Sequence, residues 1–249
     1  MFRSTLRLAR CSVPDHDRLY FRQLLSGRDF ATANPMARQM VNFAYLIGDR
    51  QTGEALLVDP AYSTRELLGI LEADDMQPVG VLGTHYHFDH VGGEMMGHSV
   101  EGIAALLEQV DVPVHLQAAE VPWVERSTGV TDSLVGHESG DTISVGEIEV
   151  TLIHTPGHTP GSQCFLVEGC LVAGDTLFLE GCGRTDLPGS DPAEMYLTLT
   201  QRLAQVPDDT ILYPGHLYSA LPSQPMGETR RDNWVLAPRT AEEWMAIFG

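Results

Sequence analysis

From Phe43 onward, short aliphatic or β-branched runs alternate with stretches of helical spacing, the pattern of an α/β chain. Phe43 to Ile47 and Ala55 to Val58 read as strands joined by the polar hairpin loop Gly48 to Glu54. Ser63 followed by Glu66 is a capping box, which predicts a helix carrying Leu67, Leu68 and Leu71. Val79 to Thr84 is a buried strand running into a histidine cluster, Glu101 to Val110 has helical spacing, and Val112 to Leu116 is a short strand. Thr142 to Val145 with Ile148 to Ile153, and Gln163 to Val167 with Leu171 to Ala173, form two hairpins. Asp191-Pro192 opens a helix through Leu203, Ile211 to Tyr213 is a further strand, and Thr240 with Glu243 caps a last helix containing Trp244, Ile247 and Phe248.

No repeat and no low-complexity linker interrupts this order. The expected organisation is a flexible N-terminal segment over 1–20 and one domain over 21–249, with 92–140 a helical elaboration beside the site. The formal charge of −19 repels a phosphate backbone, so nucleic acid is not an expected partner. All fifteen basic residues are Arg, which excludes a Schiff-base lysine and a Walker-type phosphate loop. No apolar run has the roughly 18 residues of a membrane span, so no membrane partner is expected. Four Cys without a C-x-x-C pair point to reduced thiols and a cytoplasmic chain. The Arg-rich, acid-free start leaves organellar import open. Homodimerisation is also left open.

The chemistry concentrates in Thr84-His85-Tyr86-His87-Phe88-Asp89-His90. Crowding three imidazoles and a carboxylate where a strand gives way to a loop is costly without a cation, and these are metal-ligand types. Alternation puts His85 and His87 on one side of extended backbone, and the loop turns Asp89 and His90 toward a second position, so two adjacent metals fit better than one. Three further potential ligands, His158, Asp175 and His216, each follow an apolar strand and sit beside glycine. Two divalent ions would lower the pKa of a shared water and polarise a carbonyl, giving hydrolysis without a Ser or Cys nucleophile. Asp89 is the candidate proton acceptor, and Cys164 and Cys182 read as packed thiols. Arg184, Tyr218 and Arg230 are candidate anchors for a substrate carboxylate; Arg184 also suits an ion pair with Asp186, and Arg230 a surface position.

With all seven ligand positions in order, the sequence resembles the metallo-β-lactamase superfamily, whose motif is H-x-H-x-D-H followed by a distant His, an Asp and a final His. The resemblance implies an αββα sandwich of two mixed sheets flanked by helices. It implies one ion on His85, His87 and His158 and a second on Asp89, His90 and His216, with Asp175 bridging. Asp59 matches an upstream Asp that orients ligands, and also suits a turn before Pro60. Gly174 to Asp186 and Tyr213 to Tyr218 look like the glyoxalase II and persulfide dioxygenase branch, which acts on small thiol-derived substrates. The implied activity is hydrolysis of a hydroxyacyl thioester with two divalent ions, zinc first and iron or manganese as alternatives. The other member of the branch implies one Fe(II) on His85, His158 and Asp175 and oxidation of a persulfide.

Overall fold

All seven residues of Phe43–Asp49 are buried, as expected of a strand with protein on both faces. The computed structural model describes residues 18–95, 97–238 and 240–248. The first half of the chain supplies β1 (Leu19–Leu25), β2 (Phe43–Asp49), β3 (Glu54–Val58), β4 (Gln77–Leu82), the small hairpin β5 (Gly93–Met95) and β6 (His98–Val100), β7 (Val114–Gln117) and β8 (Leu134–His137). The second half supplies β9 (Thr142–Val145), β10 (Ile148–His154), β11 (Gln163–Val167), β12 (Cys170–Gly174), β13 (Ile211–Pro214) and β14 (Gln224–Pro225). Helices α1 (Pro35–Met40), α2 (Thr64–Ala73), α3 (Phe88–Val91), α4 (Ile103–Leu107) and α5 (Val121–Thr128) accompany the first sheet; α6 (Pro192–Leu197), α7 (Met226–Asp232) and α8 (Ala241–Phe248) accompany the second.

Each sheet has six strands, in the orders β1-β2-β3-β4-β7-β8 and β14-β13-β12-β11-β10-β9. Both are mixed: β3, β4, β7 and β8 run parallel, as do β12 and β13, and the remaining pairs are antiparallel. Alternation along each strand feeds two cores. Phe43, Tyr45 and Ile47 meet Phe165 and Val172 between the sheets, while Ala44 and Leu46 pack with Leu67 and Leu71 of α2. Leu171 and Ala173 face the other way, onto Met195, Met226 and Trp244 of α6, α7 and α8. The fold is therefore the expected αββα sandwich. Among the described residues no helix is long and apolar enough to cross a membrane.

Several expectations need correction. Residues 1–17 lie outside the described residues, but Leu19 and Tyr20, assigned above to the flexible segment, pair with Asp49 and Gly48, and Tyr20 is buried. The 92–140 stretch is not a helical appendage. Besides α4 and α5 it contains β5 and β6, and β7 and β8 extend the first sheet beyond β4. β7 lies where a short strand was expected, whereas β5, β6 and β8, too short to show a period, are stabilised by pairing and not by local pattern. The Ser63 capping box does not form: Ser63 makes no cap bond, its hydroxyl donates to Glu66, and Glu101 accepts the Thr64 amide at 2.7 Å. At Asp191 the cap forms as expected, accepting from Ala193 and Glu194, but the helix passes into a wider turn at Thr198–Arg202.

Phe165 lies fully buried between the two sheets. Phe165→Ala should lower stability by about 3–5 kcal/mol in urea unfolding, through lost burial and the cavity left behind.

Candidate metal centre

The parallel strands β3 and β4 of one sheet and β12 and β13 of the other end at one seam, a placement typical of sites in α/β folds. Backbone bonds stitch the seam. Gln163 donates from its amide to the Thr84 carbonyl and from its side chain to the Gly83 carbonyl, each at 2.9 Å, and the Phe43 amide donates to the Gly215 carbonyl at 2.8 Å. The Tyr45 hydroxyl donates to the Pro214 carbonyl. Two glycines permit the approach: a Cβ on Gly215 would lie 2.3 Å from Asp175 Oδ1, and one on Gly174, at φ +49°, would lie 2.6 Å from the Thr84 side chain.

All seven side chains named from the sequence meet here. His87 Nδ1 and His158 Nε2 are 3.0 Å apart, and His90 Nε2 and His216 Nε2 are 3.2 Å apart. Asp89 Oδ2 is 3.5 Å from His216 Nε2, closing a three-residue group with His90, while His85, His87 and His158 form a second. Asp175 spans the two, with Oδ2 at 3.7 Å from His158 Nε2 and 3.3 Å from His216 Nε2, and Oδ1 at 3.4 Å from His90 Nε2.

The outer nitrogens show how the rings are aimed. His158 Nδ1 donates to the Arg184 carbonyl and His216 Nδ1 to the Met40 carbonyl, both at 2.8 Å, because a carbonyl can only accept. His90 Nδ1 is 2.8 Å from Asp59 Oδ2. The Thr84 hydroxyl gives its proton to Asp59 at 2.6 Å, so His85 Nδ1 at 3.0 Å donates to Thr84 Oγ1. Four imidazoles thus have their outer Nδ1 engaged and point Nε2 inward, the arrangement that orients metal-bound histidines. Asp59, at φ +50°, serves two of the rings and is more than a turn residue.

Buried and crowded, these groups are poorly satisfied by one another. His85 Nε2 and Asp175 Oδ1 are buried with no hydrogen-bond partner. Burial and the neighbouring imidazoles of His90 and His87 drive the His85 pKa well down. Burial alone would lower His90, but Asp175 and Asp89 outweigh it and hold that ring well above its usual value. Asp175 is pulled far down by His216 and His90 despite its burial. Nitrogen lone pairs and carboxylates converging on two adjacent points are a donor set that divalent cations satisfy.

Sequence reasoning missed Asn42, Tyr62 and Glu120. The Asn42 amide donates to Asp89 Oδ2 at 3.0 Å and is itself held by the Tyr62 hydroxyl at 2.9 Å. Glu120, fully buried, accepts the Tyr86 amide at 2.7 Å, the Thr159 hydroxyl at 2.8 Å and the Gly161 amide at 2.7 Å, tying together the loops that carry His87 and His158. A lone Asn or Glu carries no motif, and only long-range contacts reveal these three. Cys164 and Cys182 are free thiols, which burial pushes up to about 11 and about 12, consistent with packing residues.

A cavity of about 880 Å³ opens onto the cluster, lined by His87, Asp89, His158, Asp175 and His216. Tyr218 lines it and stacks on His216 at 4.6 Å and 7°. Arg184 lines it too, but its guanidinium binds Asp186 through two bonds of 2.8 Å. Arg230 is not at the site. Its guanidinium is spent on Asp208 and on the carbonyls of Leu203 and Val206, where it fastens α7, so it is withdrawn as a substrate anchor.

Residues 38–216 match the metallo-beta-lactamase superfamily, a span that contains every member of the cluster. The chain belongs to this superfamily. Its members bind divalent metals, and the chain is an enzyme of that superfamily. A hydroxyacylglutathione hydrolase of Nitrosomonas eutropha is 34% identical over 180 residues, covering 72% of this chain but only 62% of the relative. The mitochondrial persulfide dioxygenase ETHE1 of Homo sapiens is 29% identical over 244 residues, covering 92% of this chain and 86% of the relative. The crystal structure of ETHE1 from Myxococcus xanthus superposes with a TM-score of 0.74 at 29% identity, over 92% of this chain and 89% of that one.

Among superfamily members this chain should depend on the partners behind the rings. Asp59→Ala should weaken metal affinity about 10- to 100-fold in competition with a chromophoric chelator, since it frees His90 and the Thr84–His85 pair. Burial outweighs the three donors on Glu120 and pushes its carboxyl from about 4.5 up to about 7. Between those values the unfolded chain has lost the proton that the folded chain keeps, so this group costs stability as pH rises. Glu120→Gln should flatten the fall in unfolding free energy across that window, read from urea melts at stepped pH.

Proposed function

We propose that the chain is a dinuclear metal-dependent thioester hydrolase of the glyoxalase II type. The observation that carries this reading is the pair of three-residue groups on either side of Asp175, each with its nitrogens aimed inward. His85, His87 and His158 would hold one ion, and Asp89, His90 and His216 the other, with Asp175 between them. Zinc suits this mixture of imidazole and carboxylate, and iron or manganese are the alternatives. The bound ions supply a water acidic enough to attack at neutral pH and a Lewis acid for the thioester carbonyl.

The chain's own residues do the rest. Asp89, held on one oxygen by Asn42, accepts the proton of the attacking water and is placed to return it to the leaving thiolate. Thr84, Asp59, Met40 and Arg184 fix the ring orientations through the outer nitrogens, so little reorganisation accompanies the attack. Tyr86 and Tyr218 pack against the rings of His87 and His216 and, with Phe178, give the cavity an aromatic lining beside the cluster.

A second reading has its own support. The persulfide dioxygenase matches the chain nearly end to end, whereas the hydroxyacylglutathione hydrolase extends well beyond the matched region. Of the three buried side-chain atoms without partners among the described residues, two, on His85 and Asp175, belong to the His85, His158 and Asp175 trio that would hold a single iron, and the third is on Gln163.

Metal analysis of protein purified without added metal, with thiol release from acyl thioesters, tests the two. The hydrolase reading expects about two ions per chain and thioester cleavage lost on chelation. One iron per chain with oxygen uptake on glutathione persulfide would replace it with the dioxygenase. His90→Ala should lower metal content from about two ions to about one and cut thioester cleavage at least about 100-fold; unchanged metal content would count against the second ion.

A further inference from the structure

The outer wall of the cavity is not made by the strands that carry the cluster. It comes from the segment after His216, beyond the span matched to the superfamily: Tyr218, Trp234, Val235 and Phe248 line it. The rings of Trp234 and Phe248 stack at 5.2 Å and 25°, Phe248 stacks in turn on the buried Trp244 at 4.0 Å, and Tyr218 meets Phe178 edge-on at 5.1 Å. The wall is anchored. The Trp244 indole donates to the Pro192 carbonyl at 2.7 Å, and the Thr185 hydroxyl donates to the Phe248 carbonyl at 3.1 Å. Yet Trp234 and Tyr218 remain 56% and 57% exposed, so large aromatic faces are left for a ligand to cover.

Charge points the same way. Among the described residues Arg184 is the one Arg lining the cavity, and Asp186 occupies both arms of its fork. Glu180 and Asp186 line the cavity away from the cluster's ligands, and the whole chain carries −19. A carrier with two carboxylates would have to displace Asp186 and enter a negative field. A neutral ligand meets no such cost and gains the aromatic surface.

We propose that the cavity takes a thioester whose thiol part is uncharged and whose apolar acyl chain packs on the Trp234–Phe248 wall, in preference to a glutathione thioester. The proposal rests on the thioesterase reading, but its test does not need turnover. With zinc-loaded protein, calorimetry would compare two thioethers that cannot be hydrolysed, S-hexyl-N-acetylcysteamine, which is neutral, and S-hexylglutathione, which carries two carboxylates and an ammonium. The neutral probe should bind at least about tenfold more tightly, and Trp234→Ala should weaken it by about tenfold. Asp186→Asn, which releases Arg184, should narrow the gap by strengthening the glutathione probe. Equal or tighter binding of S-hexylglutathione, or indifference of the neutral probe to Trp234→Ala, would overturn the proposal. Tight binding of the neutral probe without cleavage of any thioester would sink the hydrolase reading and leave this one standing. Cleavage of S-lactoylglutathione with a higher kcat/KM than the matched N-acetylcysteamine thioester would do the reverse.

Discussion

Five imidazoles and two carboxylates share one buried seam, and four of the rings have their outer nitrogen bound to Thr84, Asp59, Arg184 or Met40. Those four bonds fix which nitrogen faces outward and which points into the cluster. If the rings could turn, the inward nitrogens would find solvent or one another, and the cluster would relax into ordinary hydrogen bonds. Held as they are, they converge on two adjacent points, with Asp175 facing both. The chemistry of the site is thus set one layer behind the groups that perform it.

That layer draws on the whole sandwich. Asp59 follows β3, Thr84 follows β4, Arg184 lies in the loop after β12, and Met40 ends α1. The seam exists because the sheets pack face to face through the Phe43, Phe165 and Val172 core, which brings the ends of β3 and β4 beside those of β12 and β13. Glu120 adds a clamp from the stretch between β7 and α5, joining the Tyr86 backbone to the loop after His158. The burial that keeps the cluster dry also raises the cost of the Glu120 charge, so rigidity at the site and stability near neutral pH oppose each other there.

The superfamily span and the aromatic segment after it divide the work. Residues 38–216 contain every group of the cluster, while Tyr218, Trp234 and Phe248 shape what can reach it. The relatives share the cluster's span but differ in how much of their length this chain matches, 62% for the hydroxyacylglutathione hydrolase and 86% for the persulfide dioxygenase. The cavity wall draws on both segments, with Arg184 and Asp186 inside the superfamily span and the aromatic side chains after it.

The cluster was legible from the letters alone, because three histidines and an aspartate within one short stretch have no inexpensive structural use, and glycine beside each later ligand marks close backbone approach. The hairpins of the second sheet were legible too, since their strands pair with sequence neighbours. Strands β1 and β8 were not, being defined by partners well away in the sequence. The same holds at the site. Asn42, Tyr62 and Glu120 carry no spacing signal, and Arg230 looked like an anchor until folding placed Asp208 against it. Residue type and local spacing determined which chemistry the chain can do. Tertiary packing alone decided which nitrogens face inward, which arginine is already paired and where the aromatic wall stands, because each of those depends on contacts between segments far apart in sequence.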